Sequence, residues 1–117
     1  IITYGRTFSA CAFAYEKLVN SGESVKLIKL NRIIPVCEGA VEAAKDCRDV
    51  YFFEEGIRRG GAGEGFLFDL SKAGFSGKYH LRAIENGFVK QASVESLLHK
   101  YGFDEEGVLS FVTSAEA

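Results

Sequence analysis

The segment DVYFFEEGIRRGGAGEG at residues 49–65 decides the fold class of this chain. Its first six residues contain the continuous apolar run Val50-Tyr51-Phe52-Phe53, which is typical of a strand buried on both faces at the centre of a parallel sheet. The glycine-rich stretch from Gly56 to Gly65 then leads into a helix that the sequence predicts over residues 66–72. A buried strand, a tight turn and a helix in succession indicate an α/β fold.

The same alternation of strand and helix extends over the rest of the chain. The sequence predicts further strands over residues 1–4, 24–30 and 79–84. It predicts helices over residues 8–19, 38–45 and 93–101, and a last helix that Asp104 caps. Thr7 or Ser9 is the expected N-cap of the first helix, and helix ends are expected at Gly22, Gly74 and Gly102. The expected inward-facing residues of the helices are Phe8, Cys11, Ala12, Tyr15, Leu18, Val19, Val41, Ala44, Val94, Leu97, Leu98, Tyr101, Val108, Leu109, Phe111 and Val112.

The composition is that of an ordinary soluble globular domain. The 117 residues are 47% hydrophobic and 26% charged, which fits a single domain over residues 1–117 with one real core. Fourteen basic and sixteen acidic residues give a net charge of −2, which argues against a nucleic-acid binder that relies on positive charge. No apolar run approaches the roughly 20 residues needed to cross a bilayer, so no membrane span is expected.

The three cysteines, Cys11, Cys37 and Cys47, form no recognisable pattern. An odd number without a close pair argues against a disulfide framework, and the lack of a Cys-x-x-Cys motif argues against a zinc site. We therefore expect free thiols in a reducing cytoplasm, and no signal-peptide pattern opposes this. The absence of methionine, with Ile1 already inside an apolar run, predicts that the chain is a piece of a larger protein.

The glycine-rich stretch is the first candidate site. It follows a strand and precedes a helix, where phosphates often bind in α/β folds. However, neither the dinucleotide pattern G-x-G-x-x-G nor the P-loop pattern G-x-x-x-x-G-K-[ST] is present. In one interpretation the glycines only allow the helix to pack closely against a neighbour. In the other, an anion or another domain is held by a loop of Arg58, Arg59, Gly60, Gly61 and Gly63.

No catalytic group emerges from the other polar residues. Glu54 and Glu55 are adjacent on a strand, so their side chains point to opposite faces and cannot share one proton. A solvated or structural carboxylate is the expected role. His80 lies in a predicted strand and His99 in a predicted helix, and no serine or cysteine can be placed beside either. We therefore predict that this chain holds no catalytic, cofactor-binding or metal-ligating residue.

Five blocks of sequence, taken in order, resemble a known enzyme family. They are ITYGR at 2–6, VKLIKLNRIIP at 25–35, EEG at 54–56 with GGAG at 60–63, FVKQASVESLL at 88–98, and YGFDEEGV at 101–108. Over essentially its full length the chain resembles the C-terminal domain of the 1-deoxy-D-xylulose-5-phosphate synthases, which are transketolase-like, thiamine-diphosphate-dependent enzymes. The first three blocks are shared with transketolases and the pyruvate dehydrogenase β subunit, and the last two point to the synthases. The chain departs from the family pattern at Cys37, Glu64 and Ala92.

The resemblance implies a particular fold. It is a three-layer α/β/α sandwich with a mainly parallel sheet of about four strands in the order 2-1-3-4, of the transketolase C-terminal-domain type. The family sheet begins with an antiparallel edge strand before the strand that matches residues 1–4. Since no such strand is present in this sequence, we expect an exposed sheet edge beside the second strand.

The resemblance also implies a function. The full-length synthase condenses pyruvate with glyceraldehyde 3-phosphate and releases carbon dioxide, for isoprenoid, thiamine and pyridoxal biosynthesis. Thiamine diphosphate and Mg²⁺ are held by upstream domains of the same chain. This piece is therefore expected to serve subunit structure and homodimer assembly in the cytoplasm, without catalysis of its own. The alternatives are the C-terminal half of a transketolase or pyruvate dehydrogenase β subunit, and a free-standing anion-binding or partner-docking module.

Overall fold

The computed structural model describes residues 1–31, 38–57, 61–84 and 102–114. Within these ranges lie the strands β1 (Ile2–Thr3), β2 (Ile28–Lys29), β3 (Asp49–Ile57) and β4 (Lys78–Ile84). The helices are α1 (Phe8–Asn20), α2 (Glu38–Ala44), α3 (Ala62–Lys72) and α4 (Glu105–Ser114), and a 3-10 turn, Gly5–Thr7, leads into α1. The helix predicted over residues 93–101 lies outside the described residues. No helix in the described ranges is both long enough and apolar enough to span a bilayer.

The four strands form one parallel sheet in the order β2-β1-β3-β4. Ile2 of β1 is paired with Ile28 of β2 on one side and with Phe52 of β3 on the other. The predicted order 2-1-3-4 is therefore confirmed. β3 lies between two paired strands, and its apolar run at residues 50–53 is buried throughout, as the sequence predicts for a central strand.

Helices cover both faces of the sheet because alternate residues of β3 point to opposite sides. Tyr51 and Phe53 pack on one side with residues of α1 and α4. Val50 and Phe52 pack on the other side with residues of α2 and α3. The chain is thus the three-layer α/β/α sandwich that was predicted.

Helix α1 buries a different stripe from the one that the apolar spacing predicts. Cys11 and Leu18 are buried as expected, but Val19 is 43% exposed. Ala10 and Ala14, which the spacing does not select, are buried instead. These small residues belong to the core that α1 shares with β3 and α4.

Two helix ends follow their local sequence signals. Beyond α1, Gly22 adopts a φ of +89°, and the Glu23 N–H donates a hydrogen bond to the Leu18 carbonyl at 3.0 Å. At the start of α4, Asp104 Oδ1 accepts a hydrogen bond from the Gly107 N–H at 2.9 Å. Both predicted caps are confirmed.

Several element bounds and one predicted cap differ from the prediction. β1 and β2 are each limited to the two residues that pair with one another, Ile2–Thr3 and Ile28–Lys29, rather than residues 1–4 and 24–30. α3 begins at Ala62, about one turn before residue 66, since a carboxylate from β3 holds its glycine-rich first turn. Thr7 stands at the N-cap of α1, but its hydroxyl donates to the Tyr4 carbonyl at 3.0 Å and not to the helix.

Candidate functional site at the glycine-rich turn

The glycine-rich turn lies at the carboxyl end of the sheet, where β3 leads into α3. Ligands of parallel α/β sheets usually bind beside the carboxyl ends of the strands. Gly61 is the N-cap of α3 and has an extended backbone with φ −81° and ψ 176°, and Ala62 and Gly63 begin the first turn. The turn therefore has the position expected of a binding site.

The carboxylate of Glu54 occupies the N-terminus of α3. Glu54 is 0% exposed. Its Oε1 accepts a hydrogen bond from the Gly63 N–H at 2.8 Å, and its Oε2 accepts one from the Ala62 N–H at 3.1 Å. The Tyr4 hydroxyl donates a third hydrogen bond to Oε2 at 2.8 Å. Since the helix dipole also favours a negative charge at this place, a side chain of the preceding strand caps α3.

Two tyrosines contact this carboxylate and the first turn. Burial, followed by the hydrogen bond to Glu54, raises the pKa of Tyr4 well above its ordinary value. Burial, followed by the charge of Glu54, likewise raises the pKa of Tyr79, whose hydroxyl donates to the Gly63 carbonyl at 2.6 Å. Both phenols therefore stay protonated near neutral pH. They act as hydrogen-bond donors and do not have the acidity of a nucleophile or general base.

Gly63 is required by the close approach of α3 to the sheet. A Cβ at this position would overlap Leu81 Cδ1 and would lie 2.9 Å from Glu54 Oε1 and 3.1 Å from Phe52 Cδ1. At Gly65, by contrast, a Cβ would meet nothing within 4 Å. At Gly63, then, the geometry supports the interpretation that glycine serves close packing between helix and sheet.

The described residues include part of the predicted loop. Gly61 and Gly63 lie at the N-terminus of α3, as the sequence suggests. The loop residues outside the described ranges are Arg58, Arg59 and Gly60. The N–H groups of Ala62 and Gly63 already bind Glu54, so an anion that used them would have to displace this carboxylate.

The capping role of Glu54 was not found from the sequence, although a signal for it exists. An acidic residue directly follows the buried apolar run of β3, and eight or nine residues later a glycine-rich helix begins. The adjacent Glu55 is half-buried, whereas Glu54 is fully buried. Tyr4 and Tyr79 carry no such signal, because their contacts with the turn depend on strand pairing and helix packing.

His80 has structural contacts at the amino end of β3. Its Nε2 lies 3.0 Å from Asp49 Oδ1, and its ring stacks on Tyr51 with the centroids 4.5 Å apart. The hydrogen bond with His80 is the main cause of a lowered pKa of Asp49, and a hydrogen bond with Arg48 adds to it. His99 lies outside the described residues. Among the residues that are described, no three His, Cys, Asp or Glu side chains are grouped as metal ligands would be.

Cys11 and Cys47 are free thiols. Cys11 is 0% exposed, and burial raises the pKa of its thiol to about 11. A thiol with so high a pKa is protonated at neutral pH and is a poor nucleophile. Cys37 lies outside the described residues.

Comparison with known proteins identifies related proteins and shows how much of their length this chain covers. The family model for the transketolase C-terminal domain matches residues 1–108. A 1-deoxy-D-xylulose-5-phosphate synthase of Bacteroides fragilis is 30% identical over 115 residues, which are 97% of this chain and 18% of that synthase. The synthase of Bacillus licheniformis is 28% identical over 111 residues, which are 93% of this chain and again 18% of the synthase. The chain thus spans less than a fifth of the length of these relatives.

A solved structure shares the fold. It is described as a split gene transketolase in an inactive beta4 tetramer, and it matches 97% of this chain and 37% of its own chain with a TM-score of 0.83 and 21% identity. The TM-score shows that the two chains share their fold. With a family model that matches almost from end to end, the chain belongs to the transketolase C-terminal domain family.

Proposed function

We propose that this chain is the C-terminal domain of a 1-deoxy-D-xylulose-5-phosphate synthase. The observation that carries the proposal is the similarity to two such synthases over 97% and 93% of this chain. The full-length enzyme would condense pyruvate with glyceraldehyde 3-phosphate and release carbon dioxide, for isoprenoid, thiamine and pyridoxal biosynthesis. Upstream domains of the same chain would hold thiamine diphosphate and Mg²⁺, and the enzyme would be a cytoplasmic homodimer.

Within that enzyme, the role that we propose for this domain is structural. A diphosphate group needs hydrogen-bond donors, whereas the Ala62 and Gly63 N–H groups at the carboxyl end of the sheet bind Glu54. The described residues also contain no cluster of metal ligands. They therefore do not fit thiamine diphosphate with Mg²⁺. A domain built in this way would complete the subunit and contribute to its assembly.

A domain exchange tests the proposal. The aligned C-terminal region of the Bacteroides fragilis synthase is replaced by these 117 residues, and formation of 1-deoxy-D-xylulose 5-phosphate is measured. We expect product from the chimera, and none from the synthase lacking this region or from the 117-residue chain alone. A chimera carrying Gly63→Leu is the matched control and should be inactive, because α3 could not pack on the sheet.

Two outcomes would contradict different parts of the proposal. A chimera no more active than the truncated synthase would overturn the assignment to the synthases. The same exchange in a transketolase or a pyruvate dehydrogenase β subunit then tests those alternatives. Turnover or tight thiamine diphosphate binding by the chain alone would instead overturn the structural role.

A second proposal concerns the loop before α3. The position of Gly61 at a helix N-terminus, at the carboxyl end of the sheet, favours a role in binding an anion or docking a partner. Because Glu54 takes two first-turn N–H groups, the arginine side chains would have to supply the binding. Titration with inorganic phosphate, followed by amide chemical shifts, tests this role, and an absence of shifts in the loop would remove it. The residues concerned are Arg58, Arg59, Gly60, Gly61 and Gly63.

A further inference from the structure

The outward face of α3 carries the most exposed large hydrophobic side chain among the described residues. Phe68 is 64% exposed, whereas Phe66 and Leu70 on the opposite side of the helix are 0% exposed. Glu64 lies four residues before Phe68 and Lys72 lies four residues after it, and both are exposed. Residues four apart lie on the same face of a helix, so the aromatic ring stands between one negative and one positive charge.

Lys72 and Gly65 flank Phe68 on the outward surface of α3. The Lys72 ammonium Nζ lies 5.4 Å from the centroid of the Phe68 ring, toward the end of the helix. Toward its start, Gly65 has no side chain, and nothing lies within 4 Å of the place that a Cβ would take. We call the outward surface of Glu64, Gly65, Phe68 and Lys72 the Phe68 face.

We propose that the Phe68 face binds the same face of a second copy of this chain. The two copies of α3 would lie antiparallel about a two-fold axis at Phe68, which exchanges the positions four residues before and four residues after it. Glu64 of each copy then faces Lys72 of the other, and the two Phe68 rings meet at the axis beside Gly65. The pairing adds two ion pairs and one aromatic contact.

The charge pattern selects an antiparallel second copy. Parallel pairing of two identical helices would place Glu64 against Glu64 and Lys72 against Lys72, and like charges repel. Antiparallel pairing joins opposite charges at both ends of the contact. The helix has 11 residues and is about 16 Å long, so the contact is smaller than the roughly 1,200 Å² of a stable complex, and we expect weak, reversible association. This proposal uses no upstream domain, so it stands or fails separately from the proposed enzyme function.

Charge-reversal variants test the pairing. Self-association of the 117-residue chain is measured by sedimentation equilibrium up to millimolar concentration. Glu64→Lys and Lys72→Glu each replace two attractive contacts by two repulsive ones, so each variant alone should associate about tenfold more weakly than the original chain. An equimolar mixture of the two variants should recover association, because both cross-contacts of the mixed dimer again join opposite charges. High salt should reduce both effects.

The controls separate the Phe68 face from general surface effects. The matched control is Lys17→Glu on α1, because Lys17 Nζ also lies 5.4 Å from the centroid of an aromatic ring four positions away, that of Phe13. This variant should leave association unchanged. Phe68→Ser should abolish association at every salt concentration, while circular dichroism verifies that each variant is folded. A monomeric original chain at millimolar concentration, or a mixture that does not recover association, would overturn the proposal.

Discussion

At the scale of single residues, a carboxylate and a glycine together determine how α3 meets the sheet. Glu54 accepts hydrogen bonds from Tyr4, fifty positions earlier, and from the first turn of α3. Gly63 leaves the space that this carboxylate and Leu81 require. Neither residue acts alone, because a side chain at position 63 would displace the Glu54 oxygen that its own N–H binds.

Alanine at Gly63 and at Gly65 should change the free energy of unfolding in opposite directions. The Cβ of Gly63→Ala would overlap Leu81 Cδ1 and press on a carboxylate held by three hydrogen bonds, so we expect a loss of about 2 kcal/mol. Gly65→Ala places a Cβ in open space within a helix and should gain about 0.5–1 kcal/mol. Urea unfolding followed by circular dichroism measures both. An undiminished stability of Gly63→Ala would contradict the close packing of α3 on the sheet.

Removing the charge of Glu54 should cost more than removing one of its donors. Glu54→Gln keeps the shape, but its amide group then presents N–H donors to other donors, so we expect a loss of about 2–3 kcal/mol. Tyr4→Phe leaves both hydrogen bonds to α3 in place and should cost about 1 kcal/mol. Equal losses in guanidinium unfolding of the two variants would show that Glu54 does not cap the helix.

At the scale of elements, the features that the sequence predicted depend on signals within a few residues. The features that it did not predict depend on contacts between elements. Three such signals act within a few residues of the element that they affect. They are the apolar run of β3, Gly22 after α1 and Asp104 before α4. The start of α3 depends instead on Glu54 in β3. The length of β2 depends in the same way on its partner strand. The position of the candidate site was therefore predictable from the glycine stretch, but its hydrogen bonds were not.

The contact between β3 and β4 gives a pH-dependent prediction. The hydrogen bond from His80 lowers the pKa of Asp49 in the folded chain. Such a carboxyl contributes stability above its unfolded pKa of about 4, and this contribution is lost as the pH falls through the folded pKa. We therefore expect Asp49→Asn to lower the free energy of unfolding at pH 7 by about 0.5–1 kcal/mol, and the difference to shrink as the pH falls below about 4.

Urea unfolding of the Asp49→Asn variant between pH 7 and pH 2 checks this expectation. Asp46→Asn, at an exposed position three residues earlier, is the control and should show no such pH-dependent difference. A difference for Asp49→Asn that persists undiminished at low pH would mean that packing of the side chain, and not its charge, is responsible.

At the scale of the whole molecule, β3 belongs to both cores. Phe52 and Phe53 are neighbours in sequence and both are 0% exposed, yet they pack on opposite sides of the sheet. Strand order in such a sheet depends on contacts between residues far apart, so the apolar pattern predicted the fold class, and only the family resemblance predicted the order 2-1-3-4. Which helices cover each face of the sheet follows from the alternation of side chains along β3.

Because the two cores share β3, damage to one should destabilise the other. Leu70→Ala on α3 removes a fully buried side chain and should lower the free energy of unfolding by about 3 kcal/mol. We expect amide hydrogen exchange at Val108 in α4 to accelerate by the same factor as at Phe66 in α3. Val19→Ala, at an exposed position on α1, is the control and should change exchange little. Acceleration confined to the α3 side would contradict the coupling of the cores.

The capping of α3 by Glu54 can also be described as a receptor joined to its own ligand. The carboxylate is tethered to the N–H groups that it binds by a separation of eight and nine residues, so its effective concentration at the helix is roughly millimolar or higher. A dissolved anion must compete with this local concentration. Free phosphate should therefore influence this end of the helix less than it would influence an uncapped helix N-terminus, because it must first displace the tethered carboxylate.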